Sequence, residues 1–107
     1  MLRTILIACL LAAMPALAAT PPVDRQTAVD NLAGFYYSAD ICNLALSRAK
    51  VDAYRDANTP AGDAMFNVDV FRATQALYTG QKDWTKEQTD TYCKAALDKA
   101  KQLDMLL

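Results

Sequence analysis

Past residue 18 the chain carries two cysteines, Cys42 and Cys93. A pair allows one connectivity, so the question is whether the chain reaches a compartment where thiols oxidise. Residues 1–18 answer it. Arg3 supplies a positive start, Ile5 to Met14 form an apolar run, and Pro15 interrupts it. Ala16-Leu17-Ala18 then places small residues where a signal peptidase reads. The expected reading is a signal peptide over 1–18, cut after Ala18 or alternatively Ala19, and one helical domain over 19–107. Leu6-Ile7-Ala8-Cys9 has the look of a lipoprotein box, but the apolar run continues past Cys9, so that cysteine reads as part of the leader. The run is shorter than the roughly 20 residues of a membrane span, and no later stretch approaches that length. The export pattern predicts a periplasmic or secreted protein with Cys42 and Cys93 joined. Closing a loop of about 50 residues is worth about 4 kcal/mol by chain entropy. A small domain with an alanine-rich core needs such a staple.

The dominant apolar period is helical. Leu32, Phe35, Ala39, Cys42, Leu46, Ala49 and Ala53 alternate spacings of three and four, which predicts a first helix from about Asp24 to Ala57. Gly34 is its weak point and could split it into two. Thr59 as N-cap and Pro60 at the first helical position predict the start of a second helix, running to about Thr79 with Gly80 just beyond its end. Its stripe is Phe66, Val70, Ala73 and Leu77. Thr85-Lys86-Glu87-Gln88 reads as a capping box opening a third helix. Its stripe is Cys93, Ala96, Ala100, Leu103 and Leu107, and Asp90 and Lys94 are spaced to pair along it. The expected fold is all-α: a three- to four-helix bundle stapled between the middles of its first and third helices.

Composition narrows the chemistry. The chain has no histidine, which removes the usual catalytic triads, Cys–His nucleophiles and most zinc sites. A net charge of −1 disfavours nucleic acid as a partner. Eleven of the twelve acidic residues are Asp, many in the first half of the chain past residue 18. They read as a solvated face, or as a set that discharges in acid near pH 4. Asp56 to Asp63 faintly matches a calcium loop, but Pro60 and Asn67 occupy positions that need ligands. The expectation is therefore no catalytic residue, no metal and no cofactor.

Binding is the remaining class. Phe35, Tyr36 and Tyr37 are consecutive, and three consecutive helical residues cannot all face one core. Tyr54 follows the same logic, and Met65 and Phe66 are adjacent bulky residues. Tyr and Met are favoured at protein interfaces. Tyr36, Tyr37, Tyr54, Met65 and Phe66 are thus the candidate partner-binding residues, and Met105-Leu106-Leu107 either packs back or protrudes as a docking tail.

The plan of leader, short helical chain and one cysteine pair is similar in outline to the small acid-stress chaperones of the bacterial periplasm. It is equally similar to the small periplasmic immunity proteins that neutralise toxins. These resemblances imply a non-enzymatic exported protein that binds a protein partner. It would act either as an acid-stress chaperone or as a toxin-immunity or enzyme-inhibitor protein.

Overall fold

The computed structural model describes residues 22–107. The expected leader and Cys9 lie outside the described residues. Within them the fold is four helices without a strand: α1 (Arg25–Ile41), α2 (Arg48–Asn58), α3 (Phe66–Gln81) and α4 (Lys86–Gln102).

Helix α1 is the central rod. Its N-cap Asp24 accepts a hydrogen bond from the Thr27 amide at 2.9 Å, which holds the Asp24 carboxyl below its ordinary pKa. Ala28, Val29, Leu32, Ala33, Phe35, Tyr37 and Ser38 are all buried. That spread is wider than one stripe, because α1 packs against α3 most extensively and also against α2 and α4. Buried alanines at 28, 33 and 100 let the helices approach closely.

The expected first helix, Asp24 to Ala57, is two helices. The chain runs unbroken through Gly34 and stops at Ile41 instead. Asn43 takes φ 53°, the left-handed region that asparagine tolerates beyond a helix end. Ser47 then caps α2 by accepting from the Lys50 amide. The interruption rephases the apolar stripe. Ala39, Ala49 and Ala53 are exposed, while Val51 is buried and Tyr54 packs against the core.

The second boundary also differs from expectation. Thr59 ends α2 rather than starting α3: its amide and hydroxyl both donate to the Arg55 carbonyl. Pro60 opens a turn closed by the Asp63 amide on the Pro60 carbonyl, with Gly62 at φ 75°, the third-position geometry that glycine supplies. Helix α3 begins at Phe66 and continues through Gly80 to Gln81. Its stripe is as expected, with Phe66 and Val70 buried and Ala73 and Leu77 half-buried.

The Thr85 capping box opens α4, with both reciprocal hydrogen bonds present. Asp90, expected to pair with Lys94, pairs with Lys86 at 2.6 Å. The helix ends in a paired turn. Asp104, at φ 56°, donates its amide to the Lys101 carbonyl, and Met105 donates to the Ala100 carbonyl at 2.9 Å. This motif turns the tail back onto the bundle. Leu106 bridges Leu46 in antiparallel fashion, the Ser47 amide donates to the Met105 carbonyl at 2.7 Å, and Met105 is buried. The tail packs back as one of the two expected outcomes, leaving only Leu107 exposed.

Cys42 and Cys93 are joined, with Cα atoms 5.4 Å apart. Cys42 is the cap residue at the end of α1, whereas Cys93 is mid-helix in α4. The staple thus ties the end of one rod to the middle of another.

Candidate functional site

Three clusters stand out. The first surrounds the disulfide end of α1. Tyr37 is buried and meets Tyr78 and Tyr92 edge-on, with ring centroids 4.9 and 5.5 Å away. Tyr92 in turn meets Trp84 at 5.8 Å. The Tyr78 hydroxyl donates to Asp40 at 2.5 Å, which raises its pKa, and burial raises that of Tyr37. These rings join α1, α3 and α4 where aliphatic side chains are few.

The second cluster fastens the other end of α1. Arg25 donates to Asp63 at 2.6 Å and to Asp69 at 2.7 Å, and its guanidinium lies 5.7 Å from the centre of the Phe66 ring. The pairing keeps Arg25 charged and holds Asp63 below the ordinary carboxylate range. Both carboxylates serve one cation, an arrangement suited to fastening rather than to proton transfer.

The third is a groove of about 490 Å³ between α2 and α3, floored by α1. Arg48 and Arg55 stand on its α2 wall, one heptad apart and so on one face of that helix. Phe71, Thr74 and Tyr78 form the α3 wall, and Tyr36 lies between. Arg55 donates to the Tyr36 hydroxyl at 2.9 Å and to Asp52 at 3.2 Å. Arg48 stands 3.5 Å from the same Asp52 with its side chain 88% exposed. Phe71 is 64% exposed, and Val68, one turn before it, is also exposed. Phe71 and Val68 together put apolar surface on the solvent side of α3.

The structure separates the five candidate partner-binding residues. Tyr36 lines the groove. Met65 is 48% exposed just before α3. Tyr54 is half-buried, accepting from Asn31 at 2.8 Å and meeting Phe35 edge-on. Tyr37 and Phe66 are buried core residues and present nothing to a partner in this fold. In the adjacent pair Met65-Phe66 the core takes the ring, because Phe66 is in phase with Val70 and Ala73.

Phe71, Arg48 and Arg55 were not among the candidates. The signal for Phe71 was its place beside Val70, since two adjacent large residues cannot both enter one core. The arginines, one heptad apart, share a face of the expected first helix as well, but their facing α3 across a groove is tertiary information.

A second hollow, of about 230 Å³, lies between α1 and α4 beside Gly34, Tyr92 and Lys99. Among the described residues no group of three or more His, Cys, Asp or Glu side chains converges to hold a metal ion. Among them no helix is long and apolar enough to cross a membrane. The disulfide is compatible with an oxidising location. No family model, curated protein or solved structure matches the chain.

Proposed function

We propose that the protein is exported, is not an enzyme, and works by binding a protein partner through the groove between α2 and α3. The observation that carries this reading is Phe71, 64% exposed on the wall of a preformed groove whose other wall bears two arginines. Exposed aromatics and arginines are the residues on which protein interfaces concentrate their binding energy. The leader pattern and the disulfide support the periplasm, or secretion beyond it, as the place of action.

A groove already present in the folded chain, with no carboxylate to be discharged among its described lining residues, favours the immunity or inhibitor type of binder over an acid-triggered chaperone. The test is capture from periplasmic extract on immobilised protein, comparing the natural chain with Phe71→Ser. The expected result is a partner retained by the first and lost by the second. The same proteins retained by both, or none by either, would contradict the reading. Phe71→Ser should leave thermal stability unchanged, because the ring contributes little to the core.

A further inference from the structure

From the donor balance of the groove we infer that its occupant is an acidic peptide segment: an apolar side chain packed on Phe71, with an Asp or Glu carboxylate beside it reaching Arg48 and Arg55. This rests on the binding reading above and specifies the partner's chemistry.

Among the described residues the groove is lined by two guanidiniums and no carboxylate. Asp52 stands beside them and serves both, and Asp40 borders the groove through the Tyr78 hydroxyl, so open donors and not net charge distinguish the site. Among the described residues Arg48 makes no hydrogen bond and only a 3.5 Å approach to Asp52. Arg55 commits one nitrogen to Tyr36 and one to Asp52. An arginine carries five N–H donors in a planar fork, so most of this donor capacity is open. A carboxylate fits the fork through two parallel hydrogen bonds, and the adjoining ring offers an apolar anchor within reach of the same short segment. A peptide is favoured over a nucleic-acid strand because the groove holds one pair of cations and not a track of them. It is favoured over a lipid surface because the arginines stand on a groove wall rather than on a flat face.

Selection of displayed random peptides on the intact protein tests this, followed by fluorescence anisotropy of the winning peptide. The expected peptides carry Asp or Glu within four residues of an aromatic or aliphatic residue. Replacing that acid by its amide should weaken binding about tenfold, as should Arg48→Gln. Combined, the two changes should cost little more than either alone, since both remove one interaction. Arg48 is exposed, so Arg48→Gln leaves the fold intact, and circular dichroism checks that. Peptides without acidic preference, or an amide that binds as well as the acid, would overturn the inference. If such peptides still depend on Phe71, the groove remains a protein-binding site and only the acidic chemistry falls. Binding confined to anionic lipid vesicles or to single-stranded DNA, with no peptide selected, would overturn both.

Discussion

At its N-terminal end α1 is fastened by charge, and at its C-terminal end by a covalent bond and aromatic rings. Arg25 draws Asp63 and Asp69 onto one guanidinium and so pins the 60–65 turn and the start of α3. Almost five turns along, Cys42 joins Cys93, and Tyr37 packs between Tyr78 and Tyr92. The ionic end answers to pH and salt, whereas the covalent end answers to reductant. The difference teaches how a chain with few large aliphatic residues stays folded. The two ties close spans of similar length, 51 residues for the disulfide and 38 for Arg25–Asp63, so they differ in chemistry and not in chain entropy. The bond holds α4, which contacts α1 less, and the ion pair over the buried Phe66 ring holds the start of α3, which contacts α1 most.

The largest effect should come from breaking the covalent end. Replacing both Cys42 and Cys93 by Ser should remove about 4 kcal/mol, read as a lower urea midpoint. Amide exchange should then quicken most in α4, which contacts α1 less extensively than α3 does. A loss under about 1 kcal/mol would assign the hold on α4 to the aromatic contacts, each worth roughly that much.

A smaller effect should come from the ionic end. Asp63 is held below its ordinary pKa because Arg25 donates to it. The resulting stability is complete above the unfolded value near pH 4 and is lost as pH falls through the lower folded value. The urea midpoint of the natural protein should therefore drop below about pH 4. That of Arg25→Met should start lower and drop less over the same range. Molar salt should narrow the gap between them, since the pair is partly exposed. Parallel acid limbs would show that other carboxylates control acid unfolding.

The smallest effect should come between the two ends. Gly34 sits in unbroken helix, and a methyl group there would meet nothing closer than the Tyr92 hydroxyl at 4.0 Å. Gly34→Ala should stabilise by about 0.5–1 kcal/mol, read by thermal melting. Destabilisation would mean that α1 bends at Gly34 in solution.

Periodicity made much of this architecture legible. The stripe Phe66, Val70, Ala73, Leu77 and the Thr85 capping box both stand where the sequence places them, because each is decided within one or two turns. The break after Ile41 was not legible, since the spacing of three and four runs through it without interruption. Only the left-handed tolerance of Asn43, followed four residues later by Ser47, hinted at a stop and a restart. Thr59-Pro60 misled for a related reason. Both residues suit the start of a helix, but Asp63 is drawn to Arg25, 38 positions away, and the turn at Gly62 delays α3 until Phe66. The candidate site suffered most. Partial exposure of Tyr36 against full burial of Tyr37 depends on which helices cover α1, and that is tertiary information. The heptad spacing of Arg48 and Arg55 was legible, but not that Phe71 and Tyr78 of α3 would stand opposite them.

Intact mass analysis tests the central claim most directly, on protein isolated from cells with free thiols trapped by iodoacetamide. The expected species begins at Ala19 or Thr20, carries no adduct, and gains adducts at Cys42 and Cys93 only after reduction. A chain that retains its first residues and carries both adducts without reduction would contradict export, the oxidised pair, and the covalent end of the comparison together.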